Sequence, residues 1–341
     1  MVAQMKDKRN VLFVDDETSI VNSLRLVFRR DKSIRTYTTT SQAEALNLIE
    51  QEHFHVVVSD MRMPGMNGAE LLSKIKRKSP NTLRMLLTGY SEMDNILSSI
   101  NQGEVYRFLE KPWVNHDLMN KVLKAADISE NLWDSNKENS TPSLDSVGTQ
   151  NVVDTSGDIA KSQAILFIGH NDNDVLRVLE KQAGVSVFSA TNAQKAMALL
   201  LKQEEISVIV VNIDAKYREL NSYSHFTDSA SLLKTLKTIF PAVTSIVISD
   251  EKDSKAAIGL VNQAQIFRYL TPPLSEEKII EDAQAALQYA KVMQLDPAYS
   301  QRHEVEEMDL EEKDSFMEKI DVSLFGKLKN RFSNFFSFGN S

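Results

Sequence analysis

Four short apolar runs, each closed by a residue able to do chemistry, constrain this chain more than any other feature. Val11-Leu12-Phe13-Val14 ends at Asp15-Asp16, and Val56-Val57-Val58-Ser59 ends at Asp60, just before a Pro64-Gly65 turn. Leu83-Arg84-Met85-Leu86-Leu87 ends at Thr88, and Val105-Tyr106-Arg107-Phe108-Leu109 is followed by Glu110 and then Lys111-Pro112. Helix-period stretches near 17–30, 41–51, 68–78, 92–102 and 115–132 alternate with the apolar runs. Such alternation predicts repeated strand–helix units and a parallel sheet. Open α/β sheets keep their ligand sites at the carboxyl ends of their strands, so these residues fall at one site.

The constellation resembles the receiver domain of bacterial response regulators, the CheY-like family, over roughly residues 8–130. The resemblance implies a doubly wound, flavodoxin-like fold with five parallel strands in the order 2-1-3-4-5. It also implies transfer of a phosphoryl group from a histidine kinase or phosphotransfer protein onto Asp60, with Mg²⁺. A carboxylate can form an acyl phosphate, which makes Asp60 the nucleophile. By the same resemblance Asp16 binds Mg²⁺ directly with Asp60, Asp15 holds a metal-bound water, and the backbone carbonyl of Arg62 completes the protein ligands. Clustered carboxylates repel one another, and a hard dication relieves that repulsion. Lys111 supplies a point positive charge for a phosphoryl oxygen, and Pro112 stiffens its loop. Thr88 donates its hydroxyl to the modified aspartate, and Phe108 fills the space Thr88 vacates, as a two-state switch. Arg62 and Tyr90 are large residues where the attacking water passes, and slow hydrolysis is expected from them.

At 341 residues the chain is long enough for two domains and tails. The expected boundaries are a phosphoacceptor receiver over 1–132, a polar flexible linker over 133–162, a second domain over 163–294, and a tail over 295–341. The second domain is an internal repeat: Ala164–Ile168 echoes the first strand, Ile206–Val211 the third, Thr244–Ile248 the fourth. Ile266-Phe267-Arg268-Tyr269-Leu270 matches Val105-Tyr106-Arg107-Phe108-Leu109. Its chemistry is lost. Gly169-His170 replace the acidic pair, Asn212 the nucleophile and Pro272 the lysine, while Ser249 stands for the threonine. An amide is a poor nucleophile, so this copy reads as a degenerate pseudo-receiver. Asp172, Asp174 and Asp214 lie close to its loops, which leaves two readings: helix caps and solvated loop residues, or a rearranged metal site.

The tail is acidic at Glu304–Glu312, then carries Phe316, Ile320, Leu324, Leu328, Phe332 and Phe335-Phe336 at helical spacing with interleaved lysines. It reads as an amphipathic helix for self-association, a partner's groove or a membrane surface. Glu44-Ala45-Leu46 and His116-Asp117 spell fragments of phosphodiesterase and metal motifs, but both fall on expected helices of the first domain. No zinc set can be drawn from the six histidines.

The absence of cysteine permits a reducing compartment. No apolar run approaches a membrane span, and no signal-peptide core is visible. The resemblance implies a cytoplasmic protein, with peripheral attachment at the inner membrane as the variant the tail suggests. A net charge of −8 argues against a nucleic-acid-binding body. The expected function is a response regulator without enzymatic or DNA-binding output. It catalyses only its own phosphorylation and dephosphorylation, and signals to a protein effector. The alternatives are a phosphate sink for a histidine kinase and an unrecognised enzymatic output in the second half.

Overall fold

The computed structural model describes residues 8–89, 93–103, 105–138, 163–169, 174–182, 184–213, 229–250 and 253–295. Tyr90, the stretch 139–162, His170, Asp172, Asp214 and the whole acidic and amphipathic tail lie outside the described residues.

The first sheet is built from β1 (Arg9–Val14), β2 (Ile34–Thr39), β3 (Val56–Asp60), β4 (Leu83–Thr88) and β5 (Arg107–Glu110) in the order β2-β1-β3-β4-β5, all parallel. Val11–Val14, Val56–Asp60 and Leu83–Thr88 are buried along their whole length, as central strands covered on both faces must be. Each large aliphatic side chain so buried contributes about 1.5–3 kcal/mol. The helices are α1 (Thr18–Phe28), α2 (Gln42–Gln51), α3 (Gly68–Lys78), α4 (Met93–Gly103) and α5 (Asn115–Glu138). α1 buries Val21, Leu24 and Phe28, a spacing of three and four that keeps one face on the sheet. α2 and α3 begin where Ser41 and Asn67 side chains accept from the backbone N–H groups of Glu44 and Glu70. α3 ends in Lys76-Arg77-Lys78, cations placed at the negative end of its dipole.

α5 runs six residues past 132, into the stretch expected to be linker. The cause is local: Leu132 is buried, and the Trp133 ring lies 3.6 Å from that of His53, so the apolar face of the helix continues. At the same end, His55 accepts a hydrogen bond on Nδ1 from the Asn10 N–H. Burial, reinforced by His53, pushes His55 down to about 4, which keeps that nitrogen an acceptor.

A second parallel sheet comprises β6 (Ala164–Ile168), β7 (Ser186–Ala190), β8 (Ile206–Ile213), β9 (Thr244–Ser249) and β10 (Arg268–Leu270). Its order, β10-β9-β8-β6-β7, is the first sheet's order read within the repeat, so the chain holds two flavodoxin-like sheets. Its helices are α6 (Asp174–Glu180), α7 (Ala193–Lys202), α8 (Ser229–Ile239), α9 (Ser254–Ala264) and α10 (Glu276–Leu295). On α8, Lys237 is 4% exposed and its Nζ donates to the Val243 carbonyl at 2.8 Å. Burial alone pushes this lysine down to about 7.

Two compact units make up the chain. One is Met1–Val152 with Asp253–Asn262, and the other is Val153–Lys252 with Gln263–Ser341. Ten residues that the sequence pattern assigns to the second repeat thus belong to the first unit.

Candidate functional site

The parallel sheet brings the ends of β1, β3 and β4 and the loop after β5 to one edge. Asp15 and Asp60 are 1% and 6% exposed, and Thr88 is buried beside them in sequence order along the strand ends. The Lys111 Nζ donates to Asp15 Oδ2 at 2.8 Å and also to Asp60 Oδ1, so one ammonium joins the two carboxylates. The remaining oxygens are held by backbone: Asp15 Oδ1 accepts from the Glu17 N–H at 2.9 Å, and Asp60 Oδ2 from the Arg62 N–H at 2.6 Å. The Lys111 N–H donates to the Thr88 carbonyl at 2.9 Å, which ties the lysine loop to β4. The Lys111–Pro112 peptide is cis.

Burial raises the Asp60 carboxyl above its ordinary value, against the pull of the Lys111 hydrogen bond and charge. Lys111 loses by burial but gains more from Asp15 and Asp60, and its net shift is upward. The direct ammonium contact favours the ionised pair, while burial opposes it and leaves Asp60 a poorly solvated carboxylate.

Of the nominated acids, Asp15 and Asp60 turn inward and Asp16 is exposed at the rim. Among the described residues no group of three or more His, Asp or Glu side chains is arranged to hold a metal ion. The inward set is nonetheless two carboxylates against one ammonium. Its donors are all oxygen and its net charge is negative, which suits a hard dication. Arg62 meets Asp60 through its backbone N–H, and its side chain is exposed. Phe108 is 1% exposed on β5, three residues before Lys111.

The sequence reading passed over Gly68, which opens α3. A Cβ there would sit 2.0 Å from the Asp60 carbonyl oxygen and 2.8 Å from Leu86 Cδ2. The Gly68 N–H donates to the Met61 carbonyl at 3.1 Å, closing the loop that follows Asp60. Gly68→Ala is therefore expected to cost about 3 kcal/mol through overpacking and to displace Asp60. Gly65→Ala should cost only about 1 kcal/mol, because Gly65 has φ +83° but open space around it. Thermal unfolding of both variants checks the contrast, and equal losses would contradict it.

The corresponding end of the second sheet is filled differently. A Cβ on Gly169 would lie 2.8 Å from the Phe167 ring and 3.3 Å from Asn212 Cβ. In the first sheet Phe13 packs on Phe28, with centroids 5.0 Å apart, and Asp15 has room. Ser249 is buried at the end of β9, and Pro272 is followed by a cis bond to Pro273. Asp174 sits in the first turn of α6, exposed and paired with Arg177 at 3.0 Å. His116 and Asp117 open α5 and contact Asn120 and Lys121 one turn on, while Glu44 bonds the Thr39 hydroxyl at the start of α2. None of these three acids or the histidine joins the Asp60 site through a contact described.

The family model for the response regulator receiver domain matches residues 11–123. The chain is similar to the hydrogenase transcriptional regulatory protein HoxA of Cupriavidus necator, 34% identical over 124 residues, covering 36% of this chain and 25% of that protein. It is also similar to the sporulation initiation phosphotransferase F of Bacillus subtilis, 30% identical over 121 residues, covering 36% of this chain and 96% of that protein. Among solved structures, a CheY-like receiver domain protein from Methanospirillum hungatei is 29% identical, with a TM-score of 0.35, covering 36% of this chain and 98% of its own. The chain spans only 25% and 30% of the length of two HoxA relatives.

Proposed function

Because this chain belongs, through residues 11–123, to the response regulator receiver family, we propose that Asp60 accepts a phosphoryl group from the phosphohistidine of a kinase or phosphotransfer protein. Asp60 Oδ attacks phosphorus, the P–O bond forms as the P–N bond breaks, and the imidazole leaves with a proton. The observation that carries this reading is the Lys111 ammonium shared by Asp15 and Asp60. It stands where a phosphoryl oxygen would need positive charge. Asp15, Asp16, Asp60 and the Arg62 carbonyl would hold Mg²⁺, which when bound supplies further charge against the phosphoryl oxygens. Thr88 donates to the phosphorylated aspartate, and Phe108 follows it inward.

The second sheet, with Gly169, Asn212 and Pro272 at the strand ends, supports a pseudo-receiver that binds rather than reacts. In this reading residues 163–294 and the tail form the effector-binding part, and the signal passes by protein–protein interaction. The HoxA relatives are named as transcriptional regulators, but the match covers a minor part of their length. Among the described residues no helix is long and apolar enough to cross a membrane.

The test is acyl-phosphate labelling of the full chain followed by intact mass. One added phosphoryl group in the wild type and none in Asp60→Asn is the expected result. Equal labelling of both would place the acceptor elsewhere.

A further inference from the structure

Among the described residues β5 is an edge strand of the first sheet, with β4 as its neighbouring strand. In a parallel ladder alternate residues face the same neighbour. Tyr106, just before the strand, donates to the Arg84 carbonyl, but from Arg107 the register is regular. The Lys111 N–H goes to the Thr88 carbonyl, so within β5 the odd-numbered backbone groups face β4 and those of Phe108 face the open edge. Its two backbone groups are nevertheless paired. Asn262 Oδ1 accepts from the Phe108 N–H at 2.9 Å, and Asn262 Nδ2 donates to the Phe108 carbonyl at 3.0 Å. One carboxamide thus supplies the donor and acceptor of a missing ladder rung, at the residue assigned as the switch. Arg107, the preceding residue, donates from its guanidinium to the Asn262 backbone carbonyl, so the contact is held from both chains of the rung. Asn262 belongs to the first unit although it lies 154 residues along the chain from Phe108.

We propose that the Asn262 carboxamide is a clamp on the switch strand, holding Phe108 inward and so favouring the phosphorylated form of Asp60. The inference rests on the receiver reading above. An inward Phe108 is the arrangement that goes with Thr88 drawn to a phosphoryl group; its ring is already buried, and the clamp fixes the backbone that carries it. Coupling of this kind is reciprocal: the contact that favours phosphorylation is itself tightened by it. Asn262 is a positioning residue, since it acts through Phe108 and touches no reacting atom.

The test uses the full chain at a phosphodonor concentration that half-labels the wild type. Two readouts are taken: hydrogen exchange at the Phe108 amide and the labelled fraction at steady state. In Asn262→Ala the amide should exchange at least about tenfold faster and the steady-state ratio of labelled to unlabelled chain should fall about fivefold. Asn262→Asp keeps an acceptor for the N–H but loses the donor to the carbonyl, and should fall between. Exchange in β1 and β3 must match the wild type, which separates loss of the clamp from loss of the fold. Unchanged exchange at Phe108 would overturn the clamp. Faster exchange with unchanged labelling would overturn its coupling to Asp60. A wild type that takes no label would instead sink the receiver reading, and the coupling with it.

Discussion

Replacing Lys111 by methionine is expected to slow phosphorylation of Asp60 by about 100-fold or more, the loss typical of removing one preorganised positive donor. Two effects add. The phosphoryl oxygens lose the ammonium that now bridges Asp15 and Asp60. Asp60, already raised by burial, loses the hydrogen bond and charge that oppose the rise, so less of it is ionised and reactive. Initial rates of labelling by a small acyl phosphate check this, with Lys111→Arg as the charge-retaining comparison. A loss under tenfold in the methionine variant would reduce Lys111 to a structural role. The variant should also become less stable by about 2 kcal/mol at neutral pH, because two buried carboxylates lose their cation while solvent at the rim screens part of the cost. With Asp60 raised in the folded state, folding takes up a proton above the ordinary carboxylate range. Stability therefore falls as pH rises through that range and recovers in acid.

Lys237→Met is the change expected to stabilise the protein most. The lysine is fully enclosed, and burial lowers it from 10.5 to about 7. That gap corresponds to about 4–5 kcal/mol spent on desolvating or deprotonating the side chain at neutral pH. Removing the ammonium also removes its bond to the Val243 carbonyl, worth about 1 kcal/mol. A net gain of about 3 kcal/mol is expected at pH 7. Between the two titration points the unfolded chain still binds a proton that the folded chain has lost, so wild-type stability rises with pH through that window. The methionine variant has no such slope. Calorimetry of both full chains at pH 7 and 9 tests it: the wild-type transition should gain about 2 kcal/mol and the variant none. Equal shifts in both would mean that another group titrates.

The grouping of Asp15, Asp60, Thr88 and Lys111 was legible in the sequence because each member closes an apolar strand or follows one, and parallel strands end on one side. The same logic could not separate Asp15 from Asp16. Neighbouring residues at a strand end share a position in the pattern, and only the backbone turn decides that Asp15 is buried and Asp16 exposed. Gly68 was invisible for a related reason: its necessity comes from the Asp60 carbonyl pressing on it, a contact between β3 and α3 rather than a local preference. The helix beyond residue 132 was missed because Asp134-Ser135-Asn136 read as polar linker, whereas Trp133 finds its partner at His53. His55 and Lys237 show the same limit. A histidine serving as a backbone acceptor and a lysine enclosed at a helix end leave no periodic trace, because their roles depend on who surrounds them. Asn262 looked like one polar residue among many on a helix of the repeat, and its partner lies over a hundred residues away.

The packing around Gly169 sets what an acidic residue at that strand end would require. The Phe167 ring occupies the space that a side chain at 169 would need. Gly169→Asp would therefore meet that ring before it met any ligand. Asn212→Asp alone would bring a carboxylate to a strand end whose following loop carries Pro272 and no lysine at that place. Giving this edge of the second sheet a charged site thus takes a coordinated change, beginning with a smaller residue at 167.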